Sequence, residues 1–333
     1  MVQPSLPDTE VYLGQIERIR TAISKLDAAQ LIDISHFIKD ILESEATNVQ
    51  MEARSARLKE GACVHCGAVG RSQKWGKSKS GTQRFKCGAC GKTYSATSGT
   101  PVYRLRFRNE WNRYLTLMRS HIAIRTLRDE HGFNHHADTL LRWRHRFLAF
   151  LAPNPNPQLA GLIEADEKFF RTSYKGTREW KHGRQIDGRD PRHRGGANQR
   201  GLSGQQVPVL TAIDRSGAIR QVRLPDMRWG SFDVMKPWIE RESVICSDGN
   251  PVYAKIATDT ECEHIRAKQP GGANVAGLSI GRIDAYHRDI ENLINRRCNG
   301  VSTRHLLNYF AWARRMKQHQ PFGPPLMEEM MVS

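Results

Sequence analysis

Two Cys-x2-Cys pairs, Cys63 with Cys66 and Cys87 with Cys90, stand either side of the 20 residues 67 to 86. No other feature restricts the fold as much, because four thiolates delivered from two tight turns suit a tetrahedral Zn2+. Gly67, Gly88 and Gly91 suit such turns. The segment is too short for a conventional core, so metal binding provides much of its folding free energy. His65 lies inside the first pair and, with four cysteines available, reads as a surface side chain. The remaining cysteines, Cys246, Cys262 and Cys298, are scattered, and an odd total of seven argues against a disulfide framework.

Around this site the chain is strongly basic. Lys and Arg number 51 against 34 Asp and Glu, a formal net charge of +17. Such an excess points to an anionic partner, either nucleic acid or an anionic membrane surface. No apolar stretch approaches the roughly 18–20 residues that span a bilayer. The opening "MVQPSLPDTEVYLG" has neither a basic region nor an apolar core, so it does not read as a signal peptide. Nucleic acid in the cytoplasm is the expectation, with no membrane. The hydrophobic fraction of 39% supports a real core.

Five segments follow from composition and periodicity. Residues 1–55 place Ile, Leu and Phe at helical spacing with no ligand signature, which reads as packing or self-association. Residues 56–102 hold the cysteines. There Lys74, Lys77, Lys79, Arg84 and Lys86 surround Trp75 and Phe85, so the ribbon is able to track phosphates as well. Residues 103–152 resemble a helix-turn-helix: a run from Asn109 to Gly132, the break "FNHH", then a second helix carrying Arg142, Arg144, His145 and Arg146. Arg142 and Arg146 share a face suited to base edges or phosphates. The linker "APNPNPQ" separates this region from residues 159–318, and residues 319–333 form a tail.

Within 159–318, acids interrupt segments that otherwise read as buried strands. "LIEADEKFF" carries Glu164, Asp166 and Glu167; alternation puts Glu164 on the face of Asp166 and Glu167 on the other. Glu164 is a secondary ligand or a structural acid paired with a basic neighbour. A basic, Gly-rich stretch follows from Arg171 to Gly204, read as a mobile loop ordered by DNA. Its Lys175, Arg178, Lys181 and Arg184 are expected to hold phosphates, and Trp180 to stack on an unpaired base. A hairpin turning at Asp214-Arg215-Ser216-Gly217 comes next, then a helical "SFDVMKPWIERE". "VICSDGNP" then presents Asp248 where a strand should end, and helices close the region. This order suits an α/β, in detail α+β multidomain, architecture: a ribonuclease H-like mixed sheet with helices, preceded by a four-cysteine zinc ribbon and a helix-turn-helix. Acids at neighbouring strand ends and on a late helix then meet. In-line attack on a phosphodiester needs charge stabilised on the entering and leaving oxygens, which two divalent ions held by a few carboxylates provide.

The chain resembles the bacterial insertion-sequence transposases of the DDE type, in the branch with an N-terminal zinc ribbon, over roughly residues 55–315. The resemblance rests on "FKCGACGKTYSATSGTPVYRLRF", on "IEADEKFF" followed by "YKGTR", on "ICSDGNPVY", and on "IDAYHRDIENLINRRCNGVSTRHLLNYFAW". It implies Asp166 and Asp248 as the first two ligands of catalytic Mg2+ (or Mn2+). Thirty-five residues separate Asp248 from position 284, where relatives place Glu or Asn with a basic residue seven positions on; this chain has Asp284 and Glu291. Asp284, His287, Arg288 and Glu291 share one helical face. Asp284 is the favoured third ligand, Glu291 its alternative, and His287 an auxiliary contact to DNA or metal-bound water. The resemblance further implies recognition of the terminal inverted repeats of double-stranded DNA, hydrolysis of the 3′ ends, strand transfer to target DNA, a homodimer or higher homo-oligomer on DNA, and residence on the bacterial nucleoid. Two rivals stand beside it: a zinc-dependent DNA-binding regulator whose chemistry has lapsed, and a structure-selective nuclease that cuts without joining.

Overall fold

The computed structural model describes residues 9–79, 81–153, 158–186, 205–267 and 278–332. The chain divides into two compact units, Met1–Leu117 with Phe322–Ser333, and Met118–Pro321.

The first unit opens with helices α1 (Thr9–Ile23) and α2 (Ala28–Glu60). Asp27 starts α2 through a reciprocal cap: its carboxylate accepts from the Gln30 N–H at 2.9 Å, and the Gln30 side chain accepts from the Asp27 N–H at 3.1 Å. The antiparallel strands β1 (Ser72–Lys77), β2 (Gln83–Cys87) and β3 (Thr93–Ser95) follow. Phe85 and Tyr94 stack at 5.8 Å and bury Leu58, Cys63 and Cys87 with them. That core is small, which leaves the four cysteines a structural part to play. Helix α3 (Trp111–Met118) packs on α2 through buried Asn112, whose Nδ2 donates to Thr47 Oγ1 at 2.7 Å and to the Glu43 carbonyl at 2.8 Å.

The sequence predicts a single helix from Asn109 to Gly132, and the structure divides it. Helix α3 stops at Met118, His121 adopts φ +52°, and α4 (Ile124–Asp129) starts afresh. A left-handed residue cannot continue a right-handed helix. The carbonyls freed by the break are taken up inside the second unit. Arg144, on α5 (Ala137–Leu151), donates to the Ile122 carbonyl at 2.6 Å, and Trp312 donates to that of Met118 at 3.0 Å.

The second unit is built on a mixed five-stranded sheet. Its elements are β4 (Leu162–Arg171), α6 (Arg178–Lys181), β5 (Gln206–Asp214), β6 (Ile219–Arg223), β7 (Val244–Ser247), α7 (Pro251–Asp259) and β8 (Glu263–Arg266), with strand order β6-β5-β4-β7-β8. The first three strands form an antiparallel meander, while β7 and β8 run parallel to β4. Asp214 shapes the β5–β6 turn by accepting from the Ser216 hydroxyl at 2.6 Å and the Ala218 N–H at 3.0 Å. The segment read as helical forms 3-10 turns over Trp229–Trp238, and the chain is extended again from Ile239.

Helix α8 (Gly281–Glu291) runs on into a π-helical stretch, Asn292–Arg297, and α9 (Leu306–Lys317) follows. One face of the sheet buries Ile163, Ala165 and Ile245 against Tyr253 and Ile256 of α7. The other carries α8 and α9, with Phe170 against Phe310 at 4.9 Å and the Tyr286 hydroxyl donating to Gln221 at 3.0 Å. Helices thus cover both faces of a mixed sheet, the expected α/β class, downstream of the four-cysteine unit. The last helix, α10 (Pro324–Val332), belongs to the first unit. There the Gln50 side chain donates to the Pro324 carbonyl at 2.8 Å and Arg54 donates to that of Met331. Among the described residues no helix is long and apolar enough to cross a membrane.

Candidate functional site

Strand β4 is the central strand, and its side chains alternate between the two helical layers. Glu164, Asp166 and Lys168 face α8; Ile163, Ala165 and Glu167 face α7. The parallel register pairs Glu164 with Cys246. Two residues further along stand Asp166, still within β4, and Asp248, one residue beyond the end of β7, and both charges act on Glu167. Gly249 makes the turn there at φ +101°, and Asn250 caps α7 with Pro251 in its first turn. The Asp248 carboxylate accepts from the Asn250 N–H at 3.2 Å.

A cleft of about 700 Å3 opens between β4 and α8, lined by Asp166, Glu167, Asp284, His287, Arg288 and Glu291 among others. His287 is 2% exposed, with Nδ1 3.4 Å from Asp166 Oδ2 and Nε2 without a hydrogen-bond partner. Glu291 pairs with Lys168 at 3.1 Å. The late-helix residues singled out in sequence are therefore gathered on one wall, with Asp166 opposite. Asp248 does not line the cleft, but its charge acts on Glu167. Among the described residues, only the four cysteines bring three or more candidate ligand atoms within 4.8 Å of one another; the carboxylates stand further apart.

Glu164, left open between two roles by the sequence, caps α8. It is 1% exposed, and its Oε2 accepts from the N–H groups of Arg282 and Ile283 at 2.9 and 3.1 Å. Its Oε1 lies 3.0 Å from Arg215 of the β5–β6 turn. A buried carboxylate on the first turn of a helix meets both the unpaired N–H groups and the positive end of the dipole. Glu164 thus fixes the helix that carries Asp284, His287 and Glu291.

Sequence reasoning gave Glu167 no part, yet it is the most perturbed acid of the site. Burial, with the neighbouring charges of Asp166 and Asp248 adding to it and the Tyr253 hydroxyl opposing, pushes its carboxyl up to about 7. Asn250 Nδ2 donates to it at 3.3 Å. The available signal was its place directly after Asp166; Tyr253 and Asn250, which surround it, lie far along the chain.

The cysteines form a second site. Their sulfurs stand 3.9 Å apart for Cys63–Cys90 and 3.8 Å for Cys66–Cys87. A tetrahedral zinc with bonds of about 2.3 Å has sulfur–sulfur edges of about 3.8 Å, so the cluster is able to hold Zn2+ without rearrangement. The two halves repeat one another. Gly67 donates to the Cys63 carbonyl and Gly91 to that of Cys87, each at 2.9 Å, both glycines at positive φ. The backbone N–H groups of Cys90 and Ala89 hold the Cys87 thiol down to about 7. His65 lies outside the cluster, 3.4 Å from the Thr93 carbonyl.

The basic residues separate into exposed and structural ones. Lys74 and Lys77 project from β1, and Arg142, Arg178 and Arg184 are exposed; Arg146 is half-buried. Arg144 is 3% exposed and lies over the Trp312 ring at 5.1 Å, so it serves the packing of α5 on α9 rather than an outer face. Lys175 gives its three donors to the carbonyls of Cys298, Asn299 and Gly300 at 2.8–3.2 Å. The side chains of Trp180 and Lys181, and residues 187–204 of the basic stretch, lie outside the described residues.

The chain matches no protein-family profile and no curated protein. Among solved structures it is similar to one chain of the cryo-EM structure of the simian T-cell lymphotropic virus intasome in complex with a PP2A regulatory subunit. The identity is 15%, over 58% of this chain, with a TM-score of 0.29. The match spans 64% of that chain, less than two thirds of its length. An overlay that loose supports neither a family nor an activity.

Proposed function

We propose that the protein is a DDE-type DNA transposase, binding the terminal inverted repeats of an insertion sequence, cleaving their 3′ ends and joining them to target DNA. One observation supports the reading best: Asp166 and Asp248 each follow the last β4–β7 pair by two residues and both act on Glu167, while Asp284 lines the cleft with Asp166. In the first step water attacks phosphorus, the bond to the 3′ oxygen breaks, and a free 3′-hydroxyl is left. In the second step that hydroxyl attacks a target phosphorus, the new P–O bond forming as the target's own bond to its 3′ oxygen breaks and leaves a target 3′-hydroxyl.

The donor set suits Mg2+ or Mn2+, being hard oxygen ligands; burial first and the Asp166 and Asp248 charges second raise Glu167, and a cation offsets the second of these. Bound by Asp166, Asp248 and Asp284, such ions would stabilise charge on the entering and leaving oxygens. His287 orients the Asp166 carboxylate, and Glu164 holds α8 in place. The zinc ribbon, with Lys74, Lys77 and exposed Trp75, and Arg142 of α5 contact the phosphate backbone. This activity belongs to the cytoplasm, on the nucleoid.

A second reading has its own support. The Lys168–Glu291 pair satisfies charge within the cleft, and the three aspartates do not all come within 4.8 Å of one another, as a lapsed enzyme retained as a zinc-dependent DNA-binding regulator would allow.

Cleavage and joining on the DNA ends flanking the gene, with Mg2+, test both. Asp166→Asn, Asp248→Asn and Asp284→Asn should each lose about a thousand-fold in rate, the several kcal/mol that metal-held charge supplies. Joining that survives Asp284→Asn but not Glu291→Gln makes Glu291 the third acid. Cutting without joining makes the protein a nuclease, and binding without cutting leaves the regulator.

A further inference from the structure

The N-terminal arm has a face that nothing in the described structure covers. Helix α2 serves two sides. From Glu43 onward it buries Glu43, Thr47, Met51, Arg54 and Leu58 in the first unit. Before that, Leu31, Ile32, Phe37, Ile38, Ile41 and Leu42 are each 40–65% exposed. At about 100° per residue, all of these but Ile32 fall with Ile34 on one stripe, about 160° around the helix from the buried set. The stripe therefore points away from its own unit. Val49, at 62% exposure, continues it. The spacing of Leu31, Ile34, Ile38 and Ile41 alternates three and four, the seam of a helix that packs along another helix. On α1, Val11, Leu13 and Ile19 are 57–58% exposed.

We propose that this α1–α2 arm is the surface through which two copies of the chain associate, independently of DNA and of the catalytic reading. Area is the first reason. The six exposed residues of the stripe, Leu31, Phe37, Ile38, Ile41, Leu42 and Val49, at on the order of 100 Å2 apiece, offer roughly 600 Å2, more than the apolar share of the ~800 Å2 each partner gives to a standard interface. Monomeric proteins rarely leave that much apolar surface uncovered.

Charge is the second reason. Residues 27–45 hold Asp27, Asp33, Asp40, Glu43 and Glu45 against Lys39 alone, a net charge of 1 − 5 = −4 in a chain of +17. DNA is thereby disfavoured as the occupant. Helix α1 and the joint after it carry Arg18, Arg20 and Lys25 against Glu10 and Glu17, a net charge of 3 − 2 = +1, so a two-fold copy that lays its α1 along the partner's α2 sets opposite net charges together.

Sedimentation equilibrium of the zinc-loaded full chain, without DNA and over a concentration series, tests the assignment. The expected mass is twice the 37.9 kDa of the chain. Phe37→Glu with Leu42→Glu should return it to 37.9 kDa with zinc content and circular dichroism unchanged. The milder Phe37→Ala with Leu42→Ala, which keeps helix propensity, should raise the dissociation constant at least about 100-fold. An unmodified chain that stays at the single-chain mass throughout overturns the proposal, as does a doubled mass that the alanine pair leaves intact.

Discussion

Replacing Glu164 with glutamine keeps the shape of the side chain and removes its charge. The wild-type carboxylate is 1% exposed, accepts two N–H groups from the first turn of α8 and lies 3.0 Å from Arg215. The glutamine oxygen is able to retain the two N–H bonds, now without their ionic strengthening or the attraction of the helix dipole, a loss of about 1–2 kcal/mol. Its amide turns a donor toward Arg215. That guanidinium is 38% exposed and turns to water, so the lost pair adds only about 1 kcal/mol. The sum is about 2–3 kcal/mol, or roughly 5–10 °C in the melting of a unit of this size. Glu164→Leu, which strands both N–H groups, should cost about 4–5 kcal/mol.

Scanning calorimetry of the full chain reads this directly. A zinc chelator distinguishes the transitions: the one it shifts belongs to the first unit, and the Glu164 effect must appear in the other. A Glu164→Gln protein melting within about 0.5 kcal/mol of wild type would refute the assignment of this acid as the anchor of α8.

Glu167 should give the second unit a pH dependence. Its folded-state pKa of about 7 lies above the ordinary 4.5, so stability is greatest with the acid protonated and declines as pH rises from about 4.5 through about 7. Urea midpoints without added divalent cation should show that slope, and Glu167→Gln should flatten it. Cys63→Ser should cut bound zinc from one ion per chain to none and unfold the ribbon, since zinc affinity at such sites is worth about 10–16 kcal/mol; elemental analysis with limited proteolysis checks it. Arg142→Ala should weaken DNA binding and lower its salt dependence by about one counterion with stability unchanged. Arg144→Ala should instead lose about 3 kcal/mol of stability, because Arg144 is buried with its guanidinium on the Ile122 carbonyl and the Trp312 ring.

Features written in short stretches of sequence were legible there. The cysteine spacing needs only two turns to become a tetrahedron, and Asp248 closing an apolar run marks the end of β7; Asp166, expected at a strand end, lies mid-strand because β4 runs on to Arg171 in its pairing with β5. The face shared by Asp284, His287 and Glu291 follows from helical spacing alone. What escaped depends on partners remote in the chain. Nothing local announces that His121 turns left-handed and divides a predicted helix, since the groups donating to the carbonyls at the break come from Arg144 and Trp312. Alternation along β4 separates Glu167 from Asp166, but it does not show that Asn250 and Tyr253 close over the far face and leave that carboxyl crowded. Three arginines within one short helix look equivalent until the position of α9 decides which is buried.

Helix α10 bears on how the protein comes to be made. The first unit begins at the N-terminus, yet Leu326, Met327 and Met330 at the far end of the chain are fully buried within it, and Arg54 of α2 reaches the Met331 carbonyl. On the ribosome, the unit synthesised first is therefore the unit completed last, after the entire sheet has emerged. A stop codon shortly before residue 324 would spare every acid and cysteine discussed above and still leave the zinc-bearing end of the molecule unfinished. Affinity tags and fusion partners belong on neither side of α10 without a spacer.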